Sequence, residues 1–193
     1  MHEDKLVTTA AEAGRKLLRR QSRPLNLNNP SDVRLMCETA DILIGFCKSN
    51  PCYGLSASMF GVPVQMICLN KQNAPQILVN PKILKMTGRT EWIESCYSFV
   101  GSCSIVERPY ETEVEYFDLA GKKNTETFTG LWSTVFGHEY IHFFGVCAQD
   151  ITTKPLLSPD EIGVYRKNNP QPIILSETGR FEYPPLFDKP GKI

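Results

Sequence analysis

Two of the three histidines in this 193-residue chain lie four residues apart, in the segment Gly137-His138-Glu139-Tyr140-Ile141-His142. On a helix, that spacing brings two imidazoles to one face, one turn apart, where they can bind a single metal ion. Glu139 follows the first histidine and is placed to polarise a water molecule on that ion. The pattern predicts a metal-dependent hydrolase. The alternative is a pair of core histidines whose hydrogen bonds are satisfied by their neighbours.

A catalytic metal site of this kind needs a third protein ligand, and the residues leave two sources open. A third histidine six residues after His142 is excluded, because that position holds Ala148. Glu161, nineteen residues after His142, would supply a carboxylate from a second helix, as in thermolysin-like sites. A cysteine upstream of the helix would supply a thiolate, and spacing alone does not choose among the seven cysteines.

The composition excludes several classes of protein. Lys+Arg and Asp+Glu are both 21, so the formal net charge is +0, which argues against nucleic-acid binding. No run approaches the roughly 18 apolar residues that a membrane-spanning helix needs. The seven cysteines include no CxxC pair and follow no secretory signal, so we expect reduced thiols inside a cell.

The histidine helix must be positioned by the elements around it. Apolar residues at helical spacing predict one helix over 30–49 and a second that runs to about residue 144, capped by Thr127 or Thr129 and ended by Gly145. Short apolar segments predict a mainly antiparallel sheet, and hence an α+β fold. The predicted strands are 64–69, 77–79 (closed by Asn80-Pro81), 91–98, 112–119 and 125–129.

The two ends of the chain differ in composition from its centre. The first 24 residues carry six basic and three acidic side chains, and residues 10–20 predict a short basic amphipathic helix. We interpret 1–23 as an N-terminal basic extension, either a solvated helix or an organelle transit peptide. Residues 24–193 are predicted to form a single domain. Its segment from about 151 is proline-rich, with one strand near 172–176.

Three segments resemble, in order, the three motifs of the peptide deformylases. Residues 53–62 (YGLSASMFGV) are similar to GLAAxQIGV, residues 94–98 (ESCYS) to EGCLS, and residues 138–142 (HEYIH) to HExDH. The sequence Val79-Asn80-Pro81 matches the family's INP, and Arg108 follows Cys96 at the family's distance. The resemblance covers roughly residues 24 to 150. Among members of that family, the sequence resembles a divergent organellar type.

The resemblance implies antiparallel sheets wrapped around a central HExxH metal-binding helix. It implies that Cys96, His138 and His142 bind one divalent ion, commonly Fe²⁺, which Zn²⁺, Ni²⁺ or Co²⁺ can replace. One thiolate and two imidazoles leave a fourth position for water, whose pKa the metal lowers. The implied reaction removes the N-formyl group from the first methionine of newly made polypeptides and releases formate. Glu139 would take the proton and pass it to the leaving amine.

The resemblance also implies two hydrogen-bond donors for the oxyanion of that reaction, the backbone N–H of Tyr97 and a side-chain amide at position 59. That position holds Met59, and a thioether donates no hydrogen bond. Loss of one such donor typically lowers turnover about a hundred- to a thousandfold, so we expect reduced activity unless Ser58 or Ser95 substitutes. Aromatic side chains at positions 53 and 97 predict a narrowed cleft. The residues that the resemblance places against the substrate are Tyr53, Gly54, Leu55, Met59, Ser95 and Val135.

The partners implied are N-formylmethionyl nascent peptides, which the protein would meet at the ribosome without binding nucleic acid itself and without a membrane span. The basic N-terminal segment favours a mitochondrion over the cytoplasm of a bacterium. The oligomeric state is left open. The substitution at Met59 also leaves a second hypothesis, a deformylase-like protein that binds metal and peptide N termini with little or no catalysis. A peptidase that uses Glu161 is a third.

Overall fold

Four helices and seven strands make up the described part of the chain, which comprises residue 6 and residues 12–99, 103–154 and 158–183 of a computed structural model. All strand pairs are antiparallel, and the α+β prediction is confirmed. In chain order the elements are α1 (Glu12–Leu18), α2 (Pro30–Ser49), β1 (Gly54–Ser56), a 3₁₀ turn (Ala57–Phe60), β2 (Met66–Lys71), β3 (Ala74–Ser95), β4 (Cys103–Arg108), β5 (Glu111–Phe117), β6 (Lys123–Thr129), α3 (Leu131–Ile141), two 3₁₀ turns (His142–Phe144 and Ala148–Asp150), α4 (Pro159–Asn168) and β7 (Ile173–Arg180).

Strand β3, a single strand of 22 residues, pairs with four other strands of the sheet. The first part of β3 pairs with β2, its middle with β5, and its last part with both β4 and β7. Strands β1 and β6 extend the sheet beyond β2 and β5. The prediction of two separate strands over 77–79 and 91–98 is therefore wrong.

The reason is that Asn80-Pro81 bends β3 and does not end it. The pairing with β5 shifts its register between Val79 and Lys82, as expected where proline cannot contribute an N–H to the ladder. Asn80 has a positive φ of 48°, a conformation that asparagine tolerates better than most residues. Its side chain accepts a hydrogen bond from the N–H of Leu25 (2.8 Å) and donates one to the carbonyl of Leu25 (2.7 Å). These contacts hold the bulge against the segment that precedes α2.

Helix α3 begins later than the sequence predicts. Thr127 and Thr129 belong to β6, and the residue that precedes the helix is Gly130. Gly130 has a positive φ of 53°, which glycine adopts readily and a β-branched threonine strongly disfavours, so a threonine would not suit this position. The α-helix itself ends at Ile141, three residues before the predicted end, and His142 begins a 3₁₀ turn. The chain passes through the 3₁₀ turn and stops at Gly145, which has a left-handed φ of 69°.

Helix α2 has the predicted bounds and packs its buried side against the sheet. The side chain of Asn29 caps it by accepting a hydrogen bond from the N–H of Ser31 at 2.8 Å. Although α2 has 20 residues, no helix in the described ranges is long and apolar enough to cross a bilayer.

The C-terminal part contains a helix, α4, that the sequence reasoning missed. Ser158 and Glu161 form a reciprocal capping box, and Pro159 occupies the first helical position, where its missing N–H costs nothing. The proline-rich composition of this segment favours an extended chain, which is why the sequence predicts only a strand here. The strand expected over 172–176 is longer, since β7 covers Ile173–Arg180. The rest of the predicted proline-rich tail, from residue 184, lies outside the described residues.

Candidate metal centre

Helix α3 and the end of β3 bring three potential metal ligands together. The ligand atoms of Cys96, His138 and His142 all lie within 4.8 Å of one another, and all three residues are buried. The Cys96 Sγ is 3.7 Å from the His142 Nε2. In a tetrahedral site with ordinary metal–sulfur and metal–nitrogen bonds, such atoms lie about 3.5 Å apart. The donor set and its spacing therefore fit one divalent ion, and Cys96 is the cysteine that this geometry brings to the two histidines.

The other candidate for the third ligand is elsewhere. Glu161 is exposed at the start of α4, and its Oε2 accepts hydrogen bonds from the N–H and the hydroxyl of Ser158 at 2.8 and 2.7 Å. It serves as a helix cap, and the thermolysin-like alternative is excluded by this placement.

A buried ion pair orients the first histidine. The Nε and one terminal nitrogen of Arg108 each donate to a different oxygen of Glu94 at 2.7 Å. The same Glu94 Oε2 lies 2.7 Å from the Nδ1 of His138. Arg108 is completely buried and Glu94 nearly so. Because a histidine whose Nδ1 is held by a carboxylate presents its Nε2 in a fixed direction, this network fixes the ligand nitrogen.

The charges around the two histidines differ. Burial lowers the pKa of His138, but Cys96 and Glu94 outweigh that effect and raise the pKa well above its ordinary value. Burial lowers the pKa of His142 well below its ordinary value, so that imidazole is neutral, and its Nδ1 lies 3.9 Å from the Cys147 Sγ. The site thus attracts a cation at His138, and a metal ion competes with a proton for that position.

Glu139 is the one buried carboxylate of α3, and it has a free oxygen. It is 4% exposed, and its Oε2 has no hydrogen-bond partner in the described part of the chain. Burial raises the pKa of Glu139 to about 7. A carboxylate with these properties is suited to accept and return a proton near neutral pH.

Gly54 gives Glu139 its position. A Cβ added to Gly54 would lie 2.7 Å from the Val135 Cγ1 and 3.0 Å from the Glu139 Cγ, which is closer than such carbons approach each other. Strand β1 can pass this near to α3 only because position 54 has no side chain.

A cavity of about 310 Å³ opens onto Cys96, His138 and Glu139. Five of the predicted substrate-facing residues line it, and so does Tyr97. These five are Tyr53, Gly54, Met59, Ser95 and Val135. The sixth, Leu55, does not line the cavity. Its side chain is fully buried in the core beside α2, because successive residues of a strand point to opposite faces of the sheet.

Met59 lines the cavity, and its sulfur is engaged locally. The Met59 Sδ accepts from the N–H of Ser56 at 3.5 Å. Ser58 lies close to it in sequence, but its hydroxyl pairs with that of Ser56 at 2.9 Å and does not line the cavity. Of the two serines considered as substitute donors, only Ser95 has access to the site.

The two aromatic residues of the cleft make contacts of different kinds. The Tyr97 hydroxyl donates to the carbonyl of Pro51 at 2.7 Å and links the end of β3 to the loop before β1. Its ring also packs edge-on against Phe46. The ring of Tyr53 is 60% exposed and meets Trp132 edge-on, with ring centroids 6.1 Å apart. Tyr97 therefore bridges the cleft, while Tyr53 forms part of its rim.

The sequence reasoning noted Glu94 and Arg108 inside matched segments but gave them no role, and it missed Arg166 entirely. The signal for the pair was present, since a glutamate beside a proposed metal ligand and an arginine at the end of an apolar strand need partners when buried. Arg166 lines the cavity from α4, and a helix that was not predicted could not have placed it there.

Comparison with known proteins gives consistent matches. The profile of the polypeptide deformylase family matches residues 7–155. A peptide deformylase of Pelagibacter ubique is 34% identical over 145 residues, 72% of this chain and 82% of that protein. The chloroplastic/mitochondrial peptide deformylase 1B of Arabidopsis thaliana is 34% identical over 110 residues, 54% of this chain and 40% of that one. The crystal structure of the Thermotoga maritima peptide deformylase has the same fold, with a TM-score of 0.68 at 24% identity over 77% of this chain and 97% of that one.

Proposed function

The chain belongs to the peptide deformylase family, and we propose that it is a metal-dependent hydrolase that removes the formyl group from N-formylmethionyl nascent peptides and releases formate. The observation that carries this proposal is the cluster of Cys96, His138 and His142 beside Glu139, whose Oε2 has no hydrogen-bond partner among the described residues. Cys96, His138 and Glu139 line one cavity. The matched relatives support a deformylase, and they give no support to the alternative of a protein that binds without catalysis.

Cys96, His138 and His142 would hold one divalent ion, and Fe²⁺ is the ion we propose, with Zn²⁺, Ni²⁺ or Co²⁺ able to replace it. One thiolate and two imidazoles suit any of these ions. A bound ion supplies Lewis-acid activation of water. Glu94 and Arg108 serve that site by fixing the direction of His138.

The protein's own groups carry the proton and the developing charge. The carboxylate of Glu139 takes a proton from the attacking water and returns it to the leaving amine of methionine. The backbone N–H of Tyr97, next to the thiolate ligand, donates a hydrogen bond to the oxygen of the former formyl group. The bridge from the Tyr97 side chain to Pro51 restrains this residue at the mouth of the cavity.

Met59 leaves the site with one donor fewer than the family's motif implies. Met59 lines the cavity, and its thioether carries no hydrogen to donate to the oxyanion. We therefore propose that turnover is below that of a site with glutamine here. Replacement of Met59 by Gln is expected to raise the turnover number by about a hundredfold or more. An unchanged rate in that variant, with metal content intact, would count against a missing donor.

Ser95 is the remaining hydroxyl that can help. It is exposed at the end of β3 and lines the cavity. Ser95→Ala is expected to lower the turnover number further if this hydroxyl donates to the oxyanion, and Ser58→Ala serves as a matched control because Ser58 points away from the cavity.

The decisive test is the reaction itself. The protein is purified anaerobically with Fe²⁺ or Co²⁺, its metal is quantified, and formate release is followed with formyl-Met-Ala-Ser. We expect about one ion per chain and measurable formate. Cys96→Ala should lose the ion, whereas Cys37→Ala, which removes an exposed cysteine on α2, should keep it. Full metal occupancy without formate release, in both the wild type and Met59→Gln, would overturn the proposal.

We also propose a mitochondrial location. The support is the basic composition of the first 24 residues, and relatives of both bacterial and organellar kinds are matched. Fluorescent fusions of the full chain, with and without residues 1–23, test this proposal. A diffuse cytosolic signal from the full chain would contradict it.

A further inference from the structure

The cavity has a cationic side chain that the proposed reaction does not use. Arg166, on α4, lines the same cavity as Cys96 and Glu139. One terminal nitrogen of its guanidinium group donates to the Cys103 Sγ at 3.4 Å. Cys103 pairs directly with Ser95 across β3 and β4, and Ser95 precedes the thiolate ligand in the chain. The cation is therefore close to the metal end of the cavity.

Helix α4 is held so that this side chain faces the cavity. Ile162 and Tyr165 pack against the core residues Ile93 and Ile105. The Tyr165 hydroxyl also donates to the Oε1 of Glu91 at 3.3 Å. Residues four apart on a helix share a face, so Arg166 lies on the same face as Ile162 and points toward β3.

No protein carboxylate neutralises Arg166 among the described residues. Neither acidic group of the cavity forms an ion pair with Arg166 in the described part of the chain, because Glu94 is bonded to Arg108 and His138, and Glu139 is buried in α3. The observed partner of Arg166, a thiol sulfur, is a weak acceptor that a stronger one can replace. The guanidinium group is planar and matches the two oxygens of a carboxylate.

We propose that Arg166 binds the carboxylate of an acidic side chain in the first residues after the formylated methionine, and so makes acidic N termini better substrates. This inference rests on the proposed function, since it assumes that a formyl peptide occupies the cavity. A formylated N terminus carries no positive charge, so nothing on the peptide end repels the arginine. In a nascent chain the C-terminal carboxylate is far away, which leaves a side chain as the source of the anion. Arg166 also lies beyond residues 7–155, the part that matches the family profile.

The test compares isosteric peptides that differ only in charge. The metal-loaded protein is assayed with formyl-Met-Glu-Ser amide and formyl-Met-Gln-Ser amide, and with the same pair changed at the third position. Because Arg166 is exposed, its preference for Glu over Gln in kcat/KM should be about two- to fivefold at low salt. The preference should shrink in 0.5 M salt, since exposed charges are screened. Arg166→Met should abolish it, and Arg166→Glu should reverse it.

A neighbouring residue provides the control. Lys167 is the next residue on α4 and does not line the cavity. Lys167→Met removes its positive charge and should leave the preference for Glu over Gln intact. If Arg166→Met keeps the wild-type preference at both positions, or if Lys167→Met loses it equally, the proposal is wrong.

A binding measurement separates this inference from the proposed function. The dissociation constants of the same peptides are measured by calorimetry with the Co²⁺-loaded Glu139→Gln protein. Failure of the wild type to release formate from any peptide would overturn the proposed function. If the dissociation constants still show a preference for Glu peptides that depends on Arg166, the proposed acidic-peptide site is supported. If they show no such preference, the proposed site is wrong.

Discussion

Two buried carboxylates neighbour His138, Glu94 through a hydrogen bond and Glu139 in sequence, and their pKa values are shifted in opposite directions. Glu94 and Glu139 are 5% and 4% exposed, so burial acts on both. Burial alone would raise the pKa of Glu94, but the charge and hydrogen bonds of Arg108, together with His138, hold it at about 2. Glu139 has no such partner, and burial raises its pKa to about 7.

Because both groups are buried, the difference shows that pairing with Arg108, and not burial, sets the direction of each pKa shift. On the β3 side of the histidine, every carboxylate oxygen is bonded, and the group is a permanent anion that orients a ligand. On α3, the Oε2 of Glu139 has no hydrogen-bond partner among the described residues, and a pKa of about 7 suits this group to take up and release a proton. The same residue type thus orients His138 in one position and, in the proposed mechanism, transfers a proton in the other.

The strongest challenge to this comparison is Glu139→Gln. Removal of a general base typically lowers the rate about a hundred- to ten-thousandfold, and we expect a loss of that size in kcat. The amide is isosteric, so metal content and melting temperature should stay close to those of the wild type. Near-normal formate release by this variant would mean that the open oxygen is not the proton acceptor.

The ion pair between Glu94 and Arg108 is tested by Arg108→Met. This change leaves the Glu94 carboxylate buried without its partner, which is expected to reduce the free energy of unfolding by about 3–5 kcal/mol. Denaturant unfolding measures the loss. The double variant Glu94→Gln/Arg108→Met should regain part of it, because the uncompensated charge is gone. If the single and double variants are equally unstable, the cost comes from packing and not from the unpaired charge.

Gly54→Ala tests whether the position of Glu139 matters as much as its protonation. The new methyl group would meet Val135 and push on Glu139, and a displacement of about 1 Å of a reacting group costs about a hundredfold in rate. We expect kcat to fall while the bound metal remains. The second change Val135→Ala removes the closest clash and should restore a large part of the rate. A Gly54→Ala protein of normal activity would show that β1 can shift at no cost.

The smallest effect is expected for Tyr97→Phe. This variant loses one hydrogen bond to Pro51 and keeps the ring contact with Phe46. The expected loss in unfolding free energy is about 0.5–1.5 kcal/mol, seen as a drop of a few degrees in the melting temperature. The backbone donor is unchanged, so the fall in kcat should be minor. A large fall in kcat would mean that the bridge to Pro51 itself positions that donor.

Where the sequence reasoning succeeded, local spacing carried the information. His138 and His142 must share a helix face, Gly145 must end the helix, and Pro30–Ser49 has the periodicity of an amphipathic helix. Where it failed, the local signal was ambiguous. Asn80-Pro81 is as typical of a turn as of a bulge, and only the contacts with Leu25 and β5 select the bulge.

Residue types and spacing by themselves determined that two histidines and a glutamate of the HExxH pattern lie together, that the fold is α+β, and that the motif order is similar to that of the peptide deformylases. Spacing left Cys96 and Glu161 open as the third candidate, and the tertiary structure brings Cys96, not Glu161, next to the two histidines, because that depends on where β3 and α4 end in space. The tertiary structure also decided the opposite pKa shifts of Glu94 and Glu139. A pKa depends on which charges approach a group from distant parts of the chain, and no spacing along the sequence encodes that distance.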